Sequence, residues 1–374
     1  MKVLIVGQCF VSSINGKISI PGGTERYVYG LAKQLQIDNY EVTVLSTTKD
    51  KKEIGWEILD GINVYKMYIP SKFYFLFADL YLFLKSVKII KNFNPAIVHT
   101  ISPFYKFSTG AIVAAKIFKK KTVYTRTTFP HEQGRHYLSV LIDRFIFTNI
   151  LKQADMTIVL SKHMKTTMSK KFSHLEIIPS FIAKSYYKDV HKNPYSILYV
   201  GRLDKFKGVD VLIKSISYIK NEIPHIKLYV VGNGECLGYL TNLVCSYNLE
   251  ENVIFEGHLD DFELTDIYSQ SEIFVFPSFK EGLPMALIEA MSAGLPIIAS
   301  DIEPCIELLE MDKYGILVKK GDSKALADAI CTLMVNDTLK KRYSELCLEK
   351  STQYLQGAVV KRIEHLYNSL ESTR

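Results

Sequence analysis

The stretch "FKEGLPMALIEAMSAGLPIIAS", residues 279–300, carries two glutamates, Glu281 and Glu289, with seven residues between them in an otherwise apolar run. The preceding "EIFVF" (272–276) reads as a buried strand that ends at Pro277. Pro284 stands where proline is favoured, in the first turn of a helix over 284–293. Glu281 then lies in the loop between strand and helix, and Glu289 on the helix itself. The amides that open such a helix, Met285 and Ala286, have no intrahelical acceptor and favour an anion, while each carboxylate accepts hydrogen bonds from hydroxyl groups. Two carboxylates about an anion site suit a ligand with hydroxyls at both ends, which describes a nucleotide sugar. The same pair also fits a plain structural role, satisfying backbone amides at a helix start, so the segment takes its meaning from the rest of the chain.

A second group of residues supplies positive charge. "GRLDKFKG" (201–208) begins at the carboxyl end of a strand over 195–200, and its Arg202 and Lys207 put two cations where a departing diphosphate would sit. Charge stabilisation is the main service a protein gives to phosphate departure. In "PGGTERYVYG" (21–30), Gly22 and Gly23 allow close backbone approach to a ligand just before a helix, although a simple turn uses glycines in the same way. "VVGNGECLG" (230–238) reads G-x-G-x-x-x-G and so misses the dinucleotide fingerprint. There is no G-x-x-x-x-G-K-[ST] loop, and no Asp-x-Asp triplet to hold a divalent metal at a donor site. No metal and no cofactor are expected. His99, in "AIVHTIS", reads more readily as a packed, hydrogen-bonded residue than as a catalyst.

The elements that position these residues follow a regular plan. Short runs rich in Val, Ile, Leu and Tyr recur at 2–6, 41–45, 96–100, 121–125 and 156–160, with helical patterns between them such as 25–35. After the polar stretch 187–196 the pattern restarts at 195–200, 226–231, 252–255, 272–276, 296–300 and 314–318. Continuous apolar strands alternating with helices mean parallel sheets covered on both faces. The chain of 374 residues is too long for one ordinary core. Two doubly wound α/β domains are therefore expected, residues 1–186 and 187–351, facing each other across a ligand cleft, with a last helix over 352–370 packing back onto the first.

Composition narrows the class. An apolar fraction of 48% and a charged fraction of 23% are those of a folded globular protein, which excludes fibrous and disordered chains. The six cysteines form no C-x-x-C pair and no regular spacing, so neither a zinc site nor a disulfide framework is expected, and reduced thiols in a cytoplasm are. Residues 1–190 hold 27 Lys and Arg against 13 Asp and Glu, while residues 191–374 hold 19 against 26. A half this basic collects anionic partners: phosphates or an anionic membrane surface. It lacks an arginine-rich or stacking-aromatic motif, so no nucleic acid is expected. Segment 73–84, "FYFLFADLYLFL", is too short to span a bilayer; followed by Lys85, Lys88 and Lys91, it suits the core, an apolar acceptor groove or attachment at the inner face of a membrane.

Taken together, "GGTE" (22–25), "GRLDKFKG" (201–208), "VGNGE" (231–235), "EGLPMALIEAMSAGLPIIAS" (281–300) and "YGILVKKGD" (314–322) resemble the retaining GT-B glycosyltransferases, specifically glycosyltransferase family 4, from the first strand to about residue 335. The resemblance implies roles. Arg202 and Lys207 match the cationic pair on the donor diphosphate, Glu281 the glutamate near the transferred sugar, and Glu289 the one that binds the ribose. Gly22 and Gly23 match a glycine loop that closes on the diphosphate. Many members carry a histidine just after the strand that here reads "KTVYTRTTFPHEQGR"; this chain offers His131 a few residues later, and Arg126 competes for the place.

The function expected is transfer of a hexose-type sugar from a UDP- or GDP-linked donor to an acceptor hydroxyl on a lipid-linked substrate or glycan. No side chain stands out as a covalent nucleophile, so front-side displacement is expected. A nucleotide-sugar epimerase and a non-catalytic basic membrane-binding protein are the alternatives.

Overall fold

The structure, a computed structural model, describes the chain except residues 8–11, 15–16, 20–22, 49, 69–73, 103–105, 128–147 and 373–374. The chain divides into two compact units, Met1–Phe181 with Gln356–Arg374, and Ile182–Leu355. The division falls five residues before the one drawn from sequence.

The first unit contains β1 (Lys2–Gly7), a small antiparallel pair β2 (Ser12–Ile14) and β3 (Lys17–Ser19), then β4 (Glu41–Thr48), β5 (Gly55–Leu59), β6 (Ile62–Tyr68), β7 (Ile97–Ser102), β8 (Lys121–Arg126), β9 (Met156–Val159) and β10 (Leu175–Ile177). Among the described residues these make an eight-stranded sheet in the order β10-β9-β8-β7-β1-β4-β6-β5, in which only the edge pair β5–β6 is antiparallel. Residues of β1 alternate between two cores, because successive side chains of a strand point to opposite faces. Val3 and Ile5 pack with Leu31 and Leu35 of the helix Gly23–Ile37, while Leu4 and Val6 pack with Leu82 and Ile89 of the helix Tyr74–Phe93.

The last helix, Gln356–Ser372, adds Val359, Val360, Ile363, Leu366 and Tyr367 to the first of these cores. Its apolar positions recur at helical spacing, so one face is committed to this unit. Tyr367 also meets His99, whose Nδ1 lies 2.5 Å from the Tyr367 hydroxyl and whose Nε2 lies 2.6 Å from Thr125 Oγ1. His99 is therefore a packed residue of β7 with both ring nitrogens engaged. Burial pushes its pKa down to about 3.

That burial carries a pH dependence. Unfolded, the imidazole takes a proton below about 6.5, whereas folded it stays neutral down to about 3. The unfolded state binds more protons in that window, so stability is whole above it and falls as pH drops through it. Unfolding of this unit by urea is expected to require about 1.4 kcal/mol less at pH 5.5 than at pH 7.5 on account of His99. His99→Gln should remove that increment. Trp56, the chain's single tryptophan, lies in this unit and reports its unfolding.

The second unit contains β11 (Ser196–Val200), β12 (Lys227–Val231), β13 (Val253–Gly257), β14 (Ile273–Phe276), β15 (Ile297–Ser300) and β16 (Ile316–Val318). They form an all-parallel sheet in the order β13-β12-β11-β14-β15-β16. The chain runs outward from β11 to β13, returns to lay β14 beside β11, and continues the other way. The switch point lies between β11 and β14, and ligands of such sheets bind outside the carboxyl ends of the strands at that point.

The segment 73–84 does not behave as one surface. Leu82 is buried, while Leu80 and Leu84 are 55% and 56% exposed. Asp79, its one charge, accepts a hydrogen bond from Thr109 Oγ1 at 2.7 Å. No helix among the described residues is long and apolar enough to cross a membrane.

Candidate functional site

The site is built from the two loops that flank the switch point of the second unit. After β11 the chain passes through Arg202 and Asp204 into a short turn of helix, Lys205–Lys207, which ends on Gly208. After β14 it passes through Pro277 and Ser278 to Glu281, then enters the helix Met285–Ser292. The loops are tied through their backbones, the Phe279 amide donating to the Phe206 carbonyl at 2.9 Å. Gly208 makes the approach possible. Its φ is +68°, and a Cβ there would lie 2.1 Å from the Pro277 carbonyl oxygen.

This closure brings Lys207 and Glu281 together. Lys207 Nζ lies 2.6 Å from Glu281 Oε1, with the side chains 21% and 12% exposed. The fully buried Ser278 donates its hydroxyl to the same carboxylate oxygen at 3.0 Å. Cys305, also buried, lies close enough that the Glu281 carboxylate adds to burial in raising its thiol pKa, so it stays protonated.

Pro284 caps the helix Met285–Ser292 from outside, one residue earlier than the sequence placed it. The Leu287 and Ile288 amides bond the Pro284 carbonyl, which leaves Met285 and Ala286 as the amides open to an anion. Further along, Glu289 Oε2 lies 3.0 Å from the Tyr268 hydroxyl, which is also 3.2 Å from the Ala286 carbonyl. Burial, followed by the charge of Glu289, raises the Tyr268 pKa, so the phenol is a permanent donor that orients this carboxylate.

Arg202 is not drawn into the Lys207–Glu281 pair. Its guanidinium sits 2.5 Å from Asp204 and its side chain is 79% exposed. The loop that carries it is fixed by its neighbours: the Leu203 amide donates to the Asn233 carbonyl at 3.0 Å and the Cys236 amide to the Leu203 carbonyl at 2.9 Å. Two glycines of "VVGNGECLG", Gly232 and Gly234, serve this packing. Gly232 has φ +130°, and a Cβ there would lie 2.0 Å from the Gly201 carbonyl oxygen.

In the first unit, Gly23 opens the helix Gly23–Ile37, and Arg126 is buried at the end of β8. Gly22 and His131 lie outside the described residues. Among the described residues, no three His, Cys, Asp or Glu side chains are grouped to hold a metal ion. Ser278, Tyr268 and Asp204 were not singled out from sequence. Ser278 alone carried a signal, a polar residue directly after an apolar strand and its proline.

Comparison with known proteins agrees with the fold. The family model described as Glycosyltransferase Family 4 matches residues 21–185, and the one described as Glycosyl transferases group 1 matches residues 187–347. An uncharacterized glycosyltransferase of Methanocaldococcus jannaschii is 30% identical over 359 residues, covering 87% of this chain and 88% of its own. The N-acetylgalactosamine-N,N'-diacetylbacillosaminyl-diphospho-undecaprenol 4-alpha-N-acetylgalactosaminyltransferase of Campylobacter jejuni is 27% identical over 338 residues, covering 86% of this chain and 89% of its own. Among solved structures, Anabaena HepE in complex with UDP matches with a TM-score of 0.78 at 18% identity, over 99% of this chain and 100% of its own, a likeness of fold. Two parallel α/β units, each matched by its own family model, and a relative aligned over most of both chains lead to one conclusion: this chain belongs to the group 1, family 4 glycosyltransferases and has the GT-B fold.

Proposed function

We propose that the second unit binds a nucleoside-diphosphate sugar and that the protein transfers its hexose-type sugar to an acceptor hydroxyl with retention of anomeric configuration, without a metal ion. The observation that carries this is the meeting of Lys207 and Glu281 at 2.6 Å, at the switch point of a parallel sheet and beside the open amides of a helix start. The diphosphate lies against the Met285 and Ala286 amides, and Lys207 takes up the charge that grows on it as the glycosidic bond breaks. Arg202 turns from Asp204 to the same group. Glu281 accepts hydrogen bonds from sugar hydroxyls as oxocarbenium character develops, and Glu289, held by Tyr268, accepts them from the ribose. The acceptor oxygen bonds to the anomeric carbon on the face the diphosphate leaves, and its proton passes to the departing phosphate oxygen. Gly22, Gly23 and His131, or Arg126 in place of His131, keep the family roles at their positions.

A lipid-linked or polysaccharide acceptor is supported by the name of the Campylobacter relative, which specifies an undecaprenol-linked substrate. Attachment at the inner face of a membrane is supported by the basic charge of residues 1–190 and by exposed Leu80 and Leu84 beside Lys85 and Lys88.

The reading is tested by thermal unfolding with UDP, GDP, ADP or NAD. A ligand at 100 times its dissociation constant adds about 2.7 kcal/mol, enough to raise the transition by several degrees. A rise with one nucleoside diphosphate is expected; a rise with NAD alone, or with none, contradicts the donor site. Glu289→Ala should weaken the effective nucleotide about tenfold or more, as loss of hydrogen bonds to a charged acceptor does. Proton NMR of the product should show the donor's anomeric configuration. Conversion of the donor sugar with no acceptor present would instead identify an epimerase.

A further inference from the structure

The first unit contains a cavity of about 290 Å³ whose lining includes none of the residues assigned above to the transfer reaction. It is lined by Thr43 and Asn63, near the starts of β4 and β6, and by Lys85, Lys88 and Asn92 of the helix Tyr74–Phe93. These are amino-terminal ends of parallel strands, whereas the ligand loops of such sheets lie at the carboxyl ends.

We propose that this cavity binds an acidic sugar residue, a hexuronate unit of a glycan chain. Trp56, on the edge strand β5, lines it, 60% exposed and edge-on to Tyr65 with 5.3 Å between ring centroids. Ile58, two residues on and so on the same strand face, is 71% exposed. A pyranose ring has an apolar C–H face that packs on an exposed indole, and a rim of hydroxyls that needs partners able both to donate and to accept. The Asn63 and Asn92 amides and the Thr43 hydroxyl are such partners. The volume is at the small end for ligand pockets, about 300–1,000 Å³, which suits a sugar ring better than a nucleotide.

Charge selects the acid. The one carboxylate of the lining, Glu41, is paired with Lys2 at 3.1 Å. Lys85 donates to the Tyr65 hydroxyl at 2.8 Å and lies over the rings of Tyr65 and Tyr81. Lys88 has no ion pair among the described residues. The cavity thus holds positive charge in excess, suited to the carboxylate of a uronate. The inference does not rest on the donor reading, because none of these residues belongs to the second unit.

Trp56 is the chain's only tryptophan, so its emission reports this cavity. The protein is titrated with tetrasaccharides containing glucuronate or galacturonate, with neutral maltotetraose and cellotetraose, and with phosphatidylglycerol vesicles. A saturable change with a uronate tetrasaccharide is expected, at least tenfold tighter than with either neutral one. Lys88→Ala should weaken it about tenfold, Lys88→Arg should restore it, and nucleotide stabilisation should be unchanged in both. No saturable change with any tetrasaccharide overturns the proposal. So does an equal response to neutral and acidic sugars that ignores Lys88. A response to the vesicles alone makes the surface a lipid contact and overturns it equally.

Discussion

Lys207→Ala is expected to lower turnover by at least about 100-fold, the scale of one charge contact made in the transition state. Two features make Lys207 the stronger of the two loop cations. Its side chain is 21% exposed and its ammonium is paired at 2.6 Å with Glu281, whose side chain is 12% exposed, so its field is poorly screened. Arg202, by contrast, is 79% exposed and rests on Asp204. Loss of the ammonium would also leave Glu281 beside the proposed diphosphate without a counter-charge, which would add repulsion where negative charge grows. The variant should fold, since Ser278 still donates to Glu281 and the backbone link between Phe279 and Phe206 is untouched. Release of nucleoside diphosphate from the donor, measured with acceptor present, reads the effect. Near-normal turnover would remove Lys207 from the chemistry.

Gly208→Ala should damage both stability and binding. At φ +68° any other residue is strained, and the added Cβ would lie 2.1 Å from the Pro277 carbonyl oxygen, a backbone atom that cannot swing aside. The left-handed conformation costs about 1–2 kcal/mol, and parting the loops adds to that, so at least about 2 kcal/mol of destabilisation is expected. Parting the loops also separates Lys207 from Glu281, and nucleotide affinity should fall more than tenfold. Gly238→Ala is the control: a Cβ there meets nothing within 4 Å, and the residue lies in the helix Leu237–Ser246. That change should be neutral or stabilising by up to about 1 kcal/mol. Urea denaturation followed by circular dichroism compares the two, and equal stability of Gly208→Ala and the wild-type chain would contradict the loop account.

Much of this arrangement was legible in the sequence because it depends on local pattern. Apolar runs such as "SILYV" and "IFVF" have too few polar residues to be anything but buried strands, and Pro277, Pro284 and Gly208 punctuate the loops between them. What the sequence does not reveal is which side chains meet across those loops. The Arg202–Asp204 pair and the Tyr268–Glu289 hydrogen bond depend on rotamers and on elements distant along the chain. The antiparallel edge pair β5–β6 escapes the apolar pattern for a different reason. "GWEILDGINVYKMY" carries an Asp-Gly turn between alternating residues, a strong hairpin signal, but strands that face water on one side form no continuous apolar run. Trp56, which lines the cavity, lies on that pair. His99 shows the reverse: a lone histidine among apolar neighbours reads as packed, and Tyr367, 268 residues later, is its partner.

Whether the carboxyl ends of β11 and β14 hold a nucleoside diphosphate is decided by a crystal structure of the chain with its stabilising nucleotide bound. The expected result places a diphosphate oxygen within hydrogen-bond distance of Lys207 Nζ and of the Met285 or Ala286 amide, with ribose hydroxyls on the Glu289 carboxylate. A nucleotide bound elsewhere, or one whose ribose turns away from Glu289 while its phosphates leave Lys207 paired only with Glu281, would contradict it.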